Sequence, residues 1–280
     1  MTILNILNIG IGEEKMAYVK DVFDCISSRE IEIKYKGRFG AKGEKRAPKQ
    51  KPTSYLVRKS NQLNKEKEVR RLLKVNFRKN DLWCTLKYKK GYRPDIQTIE
   101  KDLRNFFCKL RRKYKKYGQE LKYIYRLEVG KYGGVHIHLV VNADIPDADL
   151  LVSQSWSCDN NAGVYWARIK EEGGFAALAH YIVKEPDYEV GKQLSLFDYE
   201  VRKHFVKYSR SRNLKKPKVD RLEYSRRTVR KIILEGIQAS EGYYIDKESI
   251  RMGINPFTGM SYIHYTEVKI KIKEDESPPT

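Results

Sequence analysis

The spacing of polar and apolar positions changes several times along the chain, and each change marks an element. Leu121 to Gly130 and Val135 to Asn142 are apolar-rich runs around a glycine-containing loop, the pattern of a β-hairpin. In the second run Val135, Ile137 and Leu139 alternate with His136 and His138. A strand then carries the aliphatics on one face and both imidazoles on the other. Upstream, Ser60 to Phe77 mixes charge with Leu63, Val69, Leu72 and Leu73, which predicts an amphipathic helix capped at Ser60 or Asn61. Asp81 to Tyr88 has strand composition, closed by Gly91 and Pro94. From Asp95 to Tyr117, Ile96, Ile99, Leu103, Phe106, Phe107, Leu110 and Tyr114 recur at three and four, a helix with Asp95 as N-cap and Gly118 as its stop. After the hairpin come a loop from Ile145 to Gly163 with a helical turn around 148–156, and a strand from Val164 to Ile169. Gly173-Gly174 then leads into a helix from Phe175 to Glu185, stopped by Pro186, and a strand follows from Lys203 to Tyr208.

Helices interleaved with a mostly antiparallel sheet predict an α+β fold, with helices on one face and the hairpin in the middle of the sheet. This domain spans 77–215. Before it, 1–76 reads as a basic arm and a helix, with a short strand at Ile31 to Tyr35. Lys34 to Pro52 holds eight Lys/Arg against Glu44 alone and reads as a mobile arm able to lie along phosphates. After it, 216–280 reads as a basic helix (Arg226 to Ala239) and a small hairpin appendage around the turn Asn255-Pro256-Phe257-Thr258-Gly259, ending in a frayed tail.

Composition narrows the class of partner. The net charge of +21, with 33 % charged residues, exceeds what solubility requires and favours an anionic partner, nucleic acid first. Arg202 to Lys231 holds thirteen Lys/Arg with Phe205, Tyr208 and Tyr224 interleaved, a mixture suited to single-stranded DNA. Lys87, Arg126, Lys203, Arg210, Arg212, Lys215 and Lys216 are the candidate DNA contacts. No run is apolar enough to span a membrane, and Met1 to Ile11 lacks a basic leader, so neither a membrane nor a signal peptide is expected. Cys25, Cys84, Cys108 and Cys158 form no close pair, which points to a reducing cytosol.

The candidate chemistry begins at the hairpin. Glu128 lies eight residues before His136, so an unbulged hairpin puts it on the histidine face, beside or diagonal to them. Two imidazoles and a carboxylate suit Mg²⁺ or Mn²⁺, and Zn²⁺ or Co²⁺ also fit. On the later helix Tyr181, Lys184 and Glu185 share a stripe distinct from Phe175, Leu178 and Ile182. Alone, such a tyrosine and lysine are an ordinary core edge and surface cation. Beside a metal site a tyrosine hydroxyl can attack a phosphodiester, with Lys184 supplying positive charge. His180 is adjacent but points elsewhere on the helix.

These residues resemble the HUH endonucleases, specifically the rolling-circle replication initiators, or Rep proteins. Val135-His136-Ile137-His138-Leu139-Val140 is similar to their second motif, with Glu128 upstream; Tyr181-Ile182-Val183-Lys184-Glu185 is similar to their third, and Trp83-Cys84-Thr85-Leu86-Lys87-Tyr88 to their first. The resemblance covers about residues 81–215. It implies an RRM/ferredoxin-like nickase fold and a metal-dependent single-tyrosine endonuclease. Such an enzyme cuts single-stranded or hairpin origin DNA, keeps the 5′ phosphate on Tyr181, leaves a 3′ hydroxyl for a polymerase and later rejoins the strand. Glu185 or Asp187 is the implied additional metal ligand. The chain contains no Gly-x-x-x-x-Gly-Lys-Ser/Thr loop, so a host helicase is expected, in a prokaryotic cytoplasm. The alternatives are a single-tyrosine transposase or relaxase of the same superfamily and a non-catalytic RRM-like nucleic-acid-binding protein.

Overall fold

A computed structural model describes residues 16–37, 46–130, 134–170, 175–184 and 208–270. Contacts divide the chain into two compact units, residues 54–216 and residues 1–53 with 217–280.

In chain order, the second of these units opens with β1 (Tyr18–Asp24) and β2 (Ser28–Tyr35). The 54–216 unit follows: α1 (Ser54–Asn76), β3 (Leu82–Tyr88), α2 (Ile96–Lys116), β4 (Tyr123–Val129), β5 (Val135–Val141), α3 (Ala148–Ser155), β6 (Asn161–Arg168), α4 (Ala176–Val183) and β7 (Ser209–Arg210). The chain then returns with β8 (Lys218–Tyr224), α5 (Arg226–Glu235), β9 (Tyr243–Asn255) and β10 (Met260–Lys269). The fold is α+β, two antiparallel five-stranded sheets with helices, consistent with the expected ferredoxin-like class.

The sheet of the 54–216 unit runs β6-β3-β5-β4-β7, so the hairpin strand β5 is central. Val135, Ile137, Leu139 and Val141 join Leu82, Cys84 and Leu86 under α2, whose Ile99, Leu103, Phe106, Phe107, Leu110 and Tyr114 are all buried. Asp95 caps α2 by accepting from the Thr98 amide at 2.7 Å, and Gly118, at φ +66, ends it in a conformation that glycine adopts without strain. With α3 this is the helix layer the alternation predicts. A second pair covers part of the other face. Val69, Leu72 and Leu73 of α1 and Ala179, Ile182 and Val183 of α4 bury Ile124 and Val140. The reason is that β5 is apolar at Val140 on its histidine face, so that end of the face needs a cover. α1 is longer than its periodicity predicts and starts at Ser54. Its first half, with Leu63 51 % exposed, does not contribute to the core.

In the other unit the order is β8-β1-β2-β10-β9. The segments before and after the 54–216 unit, read from sequence as an arm and an appendage, therefore share one sheet. Ala17, Tyr18, Ile31, Ile33, Ile263 and Tyr265 form its core with Val229 of α5. The described part of the basic arm is docked rather than mobile. The Ala47 amide donates to the Gly259 carbonyl at 3.0 Å and the Gln50 amide to Pro256 at 2.9 Å. Gly259 has φ +67, and a Cβ there would sit 2.2 Å from the Ala47 oxygen, so only glycine permits this approach.

Candidate active site

The antiparallel register arranges the histidine face of the β6-β3-β5-β4 sheet in rows. Glu128, His136 and Lys87 are cross-strand partners in the first. Arg126, His138, Thr85 and Tyr165 make the second, and Ile124, Val140, Trp83 and Ala167 the third. Because α1 and α4 sit on the third row, Tyr181 leaves the edge of α4 over the second.

There its hydroxyl donates to Glu128 Oε2 at 2.6 Å and lies 2.9 Å from His138 Nε2. His138 Nε2 is itself 2.6 Å from Glu128 Oε2, so three groups from β4, β5 and α4 meet at one point. Thr85 Oγ1 is 3.2 Å from His138 Nδ1. An ionised Glu128 only accepts, so His138 donates through Nε2 and takes the Thr85 hydroxyl proton at Nδ1. Loading a cation on Nε2 requires the other tautomer, with Nδ1–H donating to Thr85. A hydroxyl serves either state because it both donates and accepts. The Trp83 ring stacks on His138 with centroids 5.6 Å apart and planes at 10°, and meets Tyr181 edge-on.

Proton affinities follow from this packing. Burial lowers both histidines below the ordinary imidazole value; the charge of Lys87 adds to this at His136, while Glu128 opposes it. Burial alone would raise Glu128, but the hydrogen bond from Tyr181, the charge and hydrogen bond of His138, and Arg126 together hold it below the ordinary carboxylate value. Burial, and then the hydrogen bond to Glu128 and its charge, push the Tyr181 hydroxyl well above the usual phenol range.

Among the described residues no three His, Cys, Asp or Glu side chains are gathered into a ready metal cage. Glu128 and His138 close on Tyr181 instead, and the His136 ring stands 6.2 Å from that of His138. The donor set still fits a divalent cation: neutral imidazoles and an ionised carboxylate are the forms that bind one.

Residues 81–186 match the model of the replication-associated protein ORF2 family. The matched stretch runs from β3 past α4 and contains Trp83, Thr85, Glu128, His136, His138 and Tyr181. It supports a role in replication initiation, with DNA as the partner. No curated protein and no solved structure matches the chain. Among the described residues no helix is long and apolar enough to cross a membrane.

The remaining expected site residues divide. α4 ends at Val183, and Lys184 takes an extended backbone at φ −51, ψ 126, so it is not one helical turn from Tyr181 as the spacing suggested. The apolar Ile182 and Val183 bury against α1, and the chain leaves the helix there. Glu185, Asp187 and Lys203 lie outside the described residues. Arg126 is 7 % exposed and its guanidinium donates to the Tyr181 carbonyl, so it anchors α4 instead of presenting charge to DNA. His180 turns to α1 and pairs with Glu66 at 2.9 Å. Lys87 sits over the Tyr165 ring at 4.2 Å. Arg210 pairs with Glu68 at 3.1 Å, while Arg212, Lys215 and Lys216 are exposed. Arg210 and Arg212, with Arg111 and Tyr123, line an open cleft of about 510 Å³ at the β7 edge. Trp83 and Thr85 stand within a sequence motif that by itself gives neither a role. Their signal is the alternation in β3, which places Trp83, Thr85 and Lys87 on one face, opposite the buried Leu82, Cys84 and Leu86.

Proposed function

We propose that the chain is a metal-dependent endonuclease and strand-transferase that nicks and rejoins single-stranded origin DNA, with Tyr181 as nucleophile, in rolling-circle replication of a plasmid, phage or mobile element. The observation that carries this reading is the Tyr181 hydroxyl, 2.6 Å from Glu128 and 2.9 Å from His138, residues distant in sequence. In this reading the phenolic oxygen attacks a phosphodiester phosphorus and the bond to the 3′ oxygen breaks. The 5′ phosphate stays on Tyr181, and the other fragment leaves with a 3′ hydroxyl. The phenol proton departs through Glu128 Oε2, which already accepts its hydrogen bond. Attack by a 3′ hydroxyl on the phosphotyrosine reverses the step and rejoins a strand.

The raised Tyr181 proton affinity means that the phenol stays protonated at pH 7 until the oxygen–phosphorus bond forms. A divalent ion, Mg²⁺ or Mn²⁺, held by Glu128, His136 and His138, would draw charge from the phosphoryl oxygens. Lys184 would add positive charge to the phosphate and Glu185 a further ligand. A host helicase and polymerase would open the duplex and extend the 3′ end. A non-catalytic RRM-like binder shares the sheet but gives no reason for a tyrosine bound to both Glu128 and His138.

The test is incubation of the full chain with single-stranded DNA from its own replicon and Mn²⁺, followed by denaturing electrophoresis. A protein–DNA adduct is expected. Cut strands with a free 5′ phosphate and no adduct would replace the reading with a hydrolytic nuclease.

A further inference from the structure

We infer that Tyr165, with Lys87 beside it, forms a base-stacking subsite for single-stranded DNA on the same sheet face as the Tyr181 cluster. β6 is an edge strand, paired to β3 alone. Tyr165 stands opposite Thr85, which stands opposite His138, so all three side chains leave the sheet on one face. Two interstrand spacings separate Tyr165 from His138, about 10 Å. A nucleotide or two spans that distance.

The row is open where Tyr165 stands. α1 and α4 cover Ile124 and Val140 in the next row, yet Tyr165 is 62 % exposed. A large exposed aromatic on an edge strand invites pairing with other chains unless it has an occupant. Lys87 Nζ lies 4.2 Å over this ring. A single strand offers both a π-face and a phosphate to each such pair, whereas a duplex keeps its base faces stacked inside. The net charge of +21 favours an anionic occupant over a neutral peptide. The ring, not the hydroxyl, is the working part. The DNA identity of the occupant rests on the nicking reading.

The experiment measures binding of the full chain to fluorescein-labelled dT12 and to an abasic 12-mer of equal charge. Wild type is expected to prefer dT12, and Tyr165→Ala to weaken dT12 binding by roughly 5- to 100-fold while hardly changing the abasic strand. Tyr165→Phe should retain the preference. Tyr165→Ile, a strand-compatible side chain without a ring, should lose it. Lys87→Gln should instead lower the slope of log K against log salt by about 0.7, with the base preference intact. Unchanged dT12 affinity in Tyr165→Ala and Tyr165→Ile would overturn the inference, as would equal losses on both strands. Failure of wild type to form a covalent adduct would refute the nicking reading alone, because the stacking readout needs no cleavage.

Discussion

Thr85 meets His138 at Nδ1, the nitrogen that faces away from Tyr181, and this contact sets which tautomer the other nitrogen presents. Thr85→Val keeps the β-branched shape and removes the hydroxyl. If His138 takes part in holding a cation, losing the partner of its second nitrogen should weaken Mn²⁺ binding about 10- to 100-fold. Calorimetric titration of the variant checks this, and an unchanged affinity would leave Thr85 as ordinary strand packing. Arg126 acts at the same scale through the backbone. Its guanidinium holds the Tyr181 carbonyl and lies 5.8 Å from the tyrosine ring, which ties α4 to β4 where the hydroxyl must reach Glu128.

At the scale of elements, α1 is fastened to the end of its unit by Asn76. The Asn76 side-chain amide donates to the Lys215 carbonyl at 2.7 Å and its oxygen accepts from the Lys215 amide at 2.8 Å. Asn76→Ala orphans both backbone groups and should cost about 1–3 kcal/mol, read by urea unfolding; a loss below about 0.5 kcal/mol would mean that water replaces the amide. The elements with strict periods are legible in the amino-acid sequence. α2 repeats at three and four with a cap and a stop, and β5 alternates until Val140. The face shared by Glu128 and the histidines follows from parity alone. What is not legible depends on partners far away in sequence. α1 and α4 cover the third row because of contacts between Val69 or Ala179 and Val140, which no local period encodes. The end of α4 at Val183 comes from tertiary burial, and Tyr181-Ile182-Val183-Lys184 reads locally as continuous helix. The sheet joining residues 18–35 to 218–269 is hidden by the 54–216 unit between its strands.

For the molecule as a whole, charge sets both stability and affinity. Asp21, 1 % exposed, carries ion pairs to Lys34 at 2.9 Å and Arg221 at 2.6 Å. Burial alone would raise its pKa, but the hydrogen bonds and charges of Arg221 and Lys34 outweigh it and hold the group below its ordinary value. A lowered folded-state pKa gives stability that is full above the unfolded carboxyl's pKa, about 4, and is lost as pH falls through the folded value. The advantage of wild type over Asp21→Asn in amide-exchange protection of β1 should therefore be present at pH 6 and shrink below about pH 4; a constant difference would contradict the linkage. On DNA, Arg111→Gln with Arg212→Gln at the β7 cleft should reduce the salt slope of single-strand binding by about 1.4, and an unchanged slope would make the cleft a bystander. The central claim concerns Tyr181 in the intact chain acting on DNA. Its most direct measurement is mass-spectrometric mapping of the DNA-linked peptide after reaction with replicon single strand and Mn²⁺, for wild type and Tyr181→Phe. A 5′-phosphate on Tyr181 is expected in wild type, and neither adduct nor nick in the variant. An adduct at wild-type yield in Tyr181→Phe would contradict the claim.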